Sequence, residues 1–158
     1  MEKTNYQELA IEQLHAWLDD LYKQAEKIVE AHWMVVRATE KKFPGWENKS
    51  ALQLRCTREG NSIKIEWVKI RWVGSKARGT RKAKREYIKK GKGPGYSLKT
   101  LLSVSREWEK PLVEDTERKL TAIRREAGHI NKALQYIRFA RDARKAAMAA
   151  DKNGGADV

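Results

Sequence analysis

Eleven cations crowd one stretch of this chain: Lys69, Arg71, Lys76, Arg78, Arg81, Lys82, Lys84, Arg85, Lys89, Lys90 and Lys92. From Lys64 to Lys99 there are thirteen Lys and Arg against two acids, so +11 of the formal +13 sits in about a quarter of the 158 residues. Charges of one sign packed this densely repel in a compact state and do little for folding, but they suit a polyanionic partner. Lys and Arg contacts to phosphates release condensed counterions and give affinity without sequence information. Reading sequence requires side chains at base edges, and a two-stranded ribbon fits a major groove. Arg71 and Arg85, inside expected strands, are the candidates for that deeper role. Trp72 joins the set at a strand end beside a basic loop, where stacking on a base and packing in the fold are both open. The plain alternative for the whole stretch is a solvated charged face.

Other chemistries fit less well. Gly74 and Gly79 have the spacing of a phosphate-binding loop, but Thr80-Arg81 stands where Lys-Ser/Thr is required, so ATP binding is not expected. The loop Gly91-Lys92-Gly93-Pro94-Gly95 leads to a helix start at Ser97, where free amides beside Lys90 and Lys92 offer a seat for a backbone phosphate. His15 has Glu12 and Asp19 at helical spacing, a weak metal signal that reads as a solvated flank, and His32 lies on an apolar stripe as a core histidine. No paired carboxylates, Tyr–His set or nucleophile with a base is evident. No catalytic residue, metal or cofactor is expected.

The elements that must position these cations follow from periodicity. Thr4-Asn5-Tyr6-Gln7 has the form of a capping box. After it Ile11, Leu14, Leu18, Leu21, Ala25, Ile28, His32 and Val35 recur at three- and four-residue steps, predicting a helix over residues 5–42 that Phe43-Pro44-Gly45 ends. The period then changes to two. Leu52, Leu54 and Cys56 alternate with polar residues, Gly60-Asn61 supplies a hairpin turn, and Ile63, Ile65 and Trp67 return on one face. That parity places Trp67 in the core. At Trp67-Val68 the phase slips, which predicts either a bulge or a strand buried on both faces. Residues 74–82 read as a mobile basic loop and 83–89 as a third strand, giving a three-stranded antiparallel meander over 51–90.

Helical period resumes at Ser97 and runs in one phase from Leu98 to Ile137, through Pro111 and past Gly128. A kinked helix, or two abutting helices, is expected over 97–149, with residues 151–158 a frayed tail. Lys132, Arg138, Arg141, Arg144 and Lys145 on this segment serve either as a second phosphate surface or as cations that complement the negative helix end. The architecture is therefore α+β: one domain over residues 1–150, a small antiparallel sheet packed with a long N-terminal helix and a long C-terminal helical segment. Both stripes outrun what three short strands can cover, so the helices should pack on each other or on a second copy, and a homodimer is the expected assembly.

Composition narrows the setting. No apolar run approaches the ~20 residues that span a bilayer, so no membrane role is expected. A single cysteine, Cys56, excludes an intramolecular disulfide and fits a reducing compartment, so a cytoplasmic location is expected.

From Ile63 onward short patterns carry a family likeness. Ile65-Glu66-Trp67, then Tyr87-Ile88-Lys89-Lys90-Gly91-Lys92-Gly93 with Tyr96, then Arg106-Glu107-Trp108-Glu109 and Ala122-Ile123-Arg124-Arg125, resemble the MobI-like conjugative transfer proteins over residues 51–127. The resemblance implies an auxiliary factor that recognises the origin of transfer and helps a separate relaxase begin strand transfer. It implies no catalytic motif, and no binding residues are carried over from it. The expected function is thus a non-enzymatic, double-stranded DNA-binding factor. An RNA-binding or ribosome-associated factor, and an adaptor docking a relaxase, are the alternatives.

Overall fold

The computed structural model describes residues 5–154. Helix α1 spans Tyr6–Lys42. Its cap is Asn5, whose Oδ1 accepts the Glu8 amide at 3.1 Å, so the cap lies one residue past Thr4, the first residue of the expected capping box. Thr4 itself lies outside the described residues. A 3-10 turn at Trp46–Asn48 leads to β1 (Leu52–Glu59), β2 (Ser62–Val73) and β3 (Lys82–Tyr87), then α2 (Leu98–Val104), a second 3-10 turn at Glu107–Glu109, and α3 (Lys110–Gly154). The sheet is antiparallel in the order β1-β2-β3. The fold is α+β, as expected.

The β1–β2 turn takes its shape from Gly60, whose φ of +57° is free of strain only for glycine. With no positive φ at Asn61, the pair follows the II′ pattern that matches strand twist. Pairing then runs without interruption from Glu59↔Ser62 to Leu52↔Lys69. There is no bulge at Trp67. The phase slip is instead a strand buried on both faces, since Trp67 and Val68 are each fully covered.

One sheet face carries Leu52, Leu54, Ile65 and Trp67 against Leu18, Leu21 and Ala25 of α1 and Leu120, Ile123, Ala127 and Ile130 of α3. The two long helices pack on each other, as one of the two expected arrangements, while Trp17, Met34 and Val35 of α1 and Tyr136 and Phe139 of α3 stay exposed. Buried polar groups fasten this core. Trp67 Nε1 donates to Glu117 Oε2 at 2.9 Å, Arg124 pairs with Glu117, and Arg124 Nη2 donates to the Ile65 carbonyl at 3.1 Å. His32 is buried, with Nδ1 2.9 Å from Thr116 Oγ1 and its ring edge-on to Trp67.

The C-terminal segment resolves as two helices with a real break. Ser105 closes α2, Arg106 is extended, and the 3-10 turn feeds into α3. The break precedes Pro111, which sits in the first turn of α3, where a missing amide forfeits no hydrogen bond. Gly128 interrupts nothing. The helix also runs to Gly154, beyond the expected end at 149 and into the expected frayed tail, because Ala143, Ala146, Ala147, Ala149 and Ala150 are strong helix formers. Residues 155–158 of that tail lie outside the described residues. No helix of the described residues is long and apolar enough to cross a membrane.

Candidate nucleic-acid interface

The β1–β2 ladder ends at Leu52↔Lys69, with the Ile70 amide still donating to the Ala51 carbonyl at 2.8 Å, but β2 and β3 continue to Val73↔Lys82. The far end of the sheet is therefore a two-stranded ribbon. Five of the six residues of β3 are exposed, and four of its six are Lys, Arg or Glu, which blunts a free strand edge.

Its tip is an ordered loop, not the open stretch expected for 74–82. Thr80 N donates to the Ser75 carbonyl at 3.1 Å, Ser75 N to Thr80 Oγ1 at 3.1 Å, and Gly79 N to the Lys76 carbonyl at 3.2 Å. Gly74, at φ +90°, makes this closure possible, since a Cβ there would stand 2.3 Å from the Thr80 carbonyl oxygen. Lys76 and Arg78 project exposed from this loop.

Register sorts the remaining cations by face, because directly opposed residues point the same way. Lys69, Arg71, Lys82 and Lys84 share one face of the ribbon, with Arg71 and Lys84 directly opposed. Arg85 opposes Ile70 on the other face, alongside Trp72 and Ala83. Arg71 and Arg85, paired by sequence as base readers, thus point in opposite directions. Among the described residues Arg71 alone of the eleven cations has a carboxylate within 4 Å, Glu86 at 3.5 Å, and that pair is exposed and weak.

Two expected contact residues are engaged by the fold. Trp72 is half-buried with its ring 4.7 Å from that of Trp46, and the Arg81 guanidinium stacks 3.2 Å from the Trp46 ring centroid. Lys49 lies 5.6 Å from the Trp72 ring. Trp72, opposite Ala83 and one pair short of the ribbon's end, is therefore a packing residue, not a free platform for an unpaired base. Trp46, not singled out by periodicity, is the residue that holds Trp72 and Arg81.

Lys89, Lys90 and Lys92 stand apart from the ribbon. After Tyr87 the chain passes Ile88, whose amide reaches the Trp67 carbonyl, and the loop then runs toward α3. Lys90 Nζ is tied to the Gly93 carbonyl, and Lys90 and Lys92 line a cleft against α3. At the Ser97 helix start, Ser97 Oγ accepts the Thr100 amide. The expected set is thus two groups, one on the ribbon and one at the cleft.

His15 is half-buried, not a solvated flank, with Nε2 unpartnered in a groove also lined by Glu12, Asp19 and Arg141. No group of three or more His, Cys, Asp or Glu among the described residues is placed to hold a metal ion. On α3, Arg138, Arg144 and Lys145 are exposed while Arg141 packs toward α1.

Comparison with known proteins is informative at one level. No curated protein and no solved structure matches the chain. The model of the MobI protein family matches residues 21–138, which takes in most of α1, the whole sheet with its ribbon, and α3 through Arg138. This span contains the stretch 51–127 whose short patterns carry the likeness and extends it at both ends. With three quarters of its length matched, the chain belongs to the MobI family, and this ties it to conjugative mobilisation.

Proposed function

We propose that this MobI-family chain is a non-catalytic accessory factor of conjugative transfer that binds double-stranded DNA at the origin of transfer. The β2–β3 ribbon is the element that approaches the duplex. The observation that carries this reading is the ribbon itself: it outruns β1, and one face holds Lys69, Arg71, Lys82 and Lys84, with only Arg71 near an acid among the described residues. A two-stranded ribbon matches the width of a major groove. Lys76 and Arg78 at the tip then meet phosphates, and Arg71 and Lys84 face the groove floor.

The scaffold suits this division of labour. The ordered loop and the Trp46–Trp72–Arg81 stack both stiffen the ribbon at its tip end, which lowers the entropy lost on binding. The chain assists a separate relaxase and breaks no bond itself. Titration of labelled duplex carrying an origin of transfer, against random duplex and structured RNA, tests the proposal. Preference for the origin duplex supports it, whereas preference for RNA favours an RNA-binding factor.

A further inference from the structure

At the opposite end of β2 from the ribbon tip lies a cleft of about 550 Å³, between the β1–β2 turn, the loop after β3 and the middle of α3. Its volume falls in the range that holds ligands of nucleotide size. Lys90, Lys92, Arg124, Arg125, His129 and Lys132 line it, and no carboxylate among the described residues does. Arg124 is answered from within by Glu117, but Arg125, Lys92 and Lys132 have no acid within 4 Å among the described residues. Cations brought together without counter-charges repel one another, and a concave, low-dielectric wall focuses their field. Arg124 adds to this: its side chain is 7% exposed, Glu117, Pro94 and Ile65 take its Nη groups, and its Nε remains buried without a partner.

Not all of this charge is used by the fold. The Lys90 ammonium closes the loop on Gly93, whereas Lys92, Arg125 and Lys132 are exposed and make no ion pair among the described residues. Arg125 and Lys132 come from α3 and Lys92 from the loop, so three separate positions deliver one sign of charge to one concavity.

We propose that this cleft is a second DNA-contact site, holding backbone phosphates of the duplex that the ribbon engages. The inference rests on the DNA-binding reading above and adds a contact that the ribbon alone does not supply. β2 spans twelve residues, so the cleft and the ribbon tip stand roughly 36 Å apart at about 3.3 Å per residue. One turn of duplex is about 34 Å. The two sites therefore suit one face of a single duplex, about one turn apart.

One triple and one double variant test this on the full chain: Lys92→Ala/Arg125→Ala/Lys132→Ala for the cleft and Lys82→Ala/Lys84→Ala for the ribbon. Binding to a duplex of about three turns is followed by anisotropy across salt, with circular dichroism confirming the fold. The cleft variant is expected to bind about tenfold more weakly at low salt, with a log–log salt slope shallower by about 2 to 3. Ribbon loss with an unchanged cleft variant overturns the cleft site alone and leaves the ribbon reading standing. Absence of duplex binding by the unaltered chain overturns both. Amide shifts in the unaltered chain give a second readout that needs no variant. Duplex should move Lys92, Arg125 and Lys132, and movement with sodium pyrophosphate but not with duplex makes the cleft a small-phosphate site and overturns its role in DNA binding.

Discussion

Trp67 Nε1 donates to Glu117 Oε2 at 2.9 Å, which ties the fully buried centre of β2 to α3 through a carboxylate that is 2% exposed. The same carboxylate neutralises Arg124, whose other Nη group holds the Ile65 carbonyl. One acid thus fixes the sheet on its helix and sets the angle from which the ribbon leaves the body. Glu117→Ala leaves a buried guanidinium without its partner and a buried indole N–H without an acceptor. The expected cost is about 3–5 kcal/mol in urea unfolding. A loss below about 1 kcal/mol would mean that the pair contributes little to this junction.

Two buried groups give the fold opposed pH dependences. Burial pushes the Glu109 carboxyl up to about 7, against hydrogen bonds from Ser50 and from the backbone at Ala51 and Arg106. A raised acid keeps its proton in the folded state, so its contribution is complete below the ordinary value of 4.5 and fades as pH rises through 7. Burial lowers His32 to about 4, so its contribution is complete above the ordinary 6.5 and fades as pH falls toward 4. Between pH 4.5 and 6.5 the two slopes cancel. Glu109→Gln should therefore expose a fall in melting temperature on acidification, and His32→Gln a rise, each spanning up to about 3 kcal/mol. Parallel pH profiles for the two variants would contradict this assignment.

Gly74→Ala should open the ribbon tip. An L side chain at φ +90° is strained, and its Cβ would meet the Thr80 carbonyl oxygen at 2.3 Å. The Ser75–Thr80 hydrogen bonds are expected to break, which hydrogen exchange reads as lost protection at the Thr80 amide. Global stability should fall by only about 1–3 kcal/mol, since the loop lies away from the core. Retained protection at Thr80 would show that the loop closes without glycine.

The two ribbon faces make separable predictions. Arg71→Ala should reduce discrimination between origin and random duplex by about 1–3 kcal/mol, because Arg71 lies on the basic face. Lys82→Ala should weaken both duplexes alike, as a phosphate contact does. Arg85→Ala, on the face shared with Trp72, should leave discrimination intact. Equal effects of Arg71→Ala and Arg85→Ala on discrimination would remove the case for a groove-facing side.

Much of the fold was legible because period and burial coincide. The α1 stripe, the β1–β2 hairpin around Gly60-Asn61 and the Ser97 cap all lie where side-chain spacing places them. Trp67 followed from its parity with Ile63 and Ile65. The phase slip at Val68 was ambiguous because an even register and a bulge both bring successive apolar residues inward. Pro111 misdirected the position of the helix break, since a proline in a first turn and one at a kink look alike in sequence.

The site was legible in charge but not in direction. Composition brings the cations together along the chain, yet alternation along β3 sends Lys84 and Arg85 to opposite faces. Reading the strand register would have separated them. Arg81 and Trp72 were lost to Trp46, a contact between residues far apart in sequence. Arg125 and Lys132 join Lys90 and Lys92 only because α3 folds back past the β1–β2 turn. The sequence did mark Lys90 and Lys92 beside a phosphate seat and Lys132 on a second basic surface, and Glu117 and Arg124, seven residues apart on α3, mark the buried junction behind them.

The central claim is that exposed cations on the ribbon and its tip hold a phosphate backbone, and salt-dependent duplex binding tests it most directly. With about 6–8 phosphate contacts, log affinity should fall against log salt with a slope of roughly −5 to −7. A flat response, or a slope that Lys82→Ala/Lys84→Ala leaves unchanged, would contradict it.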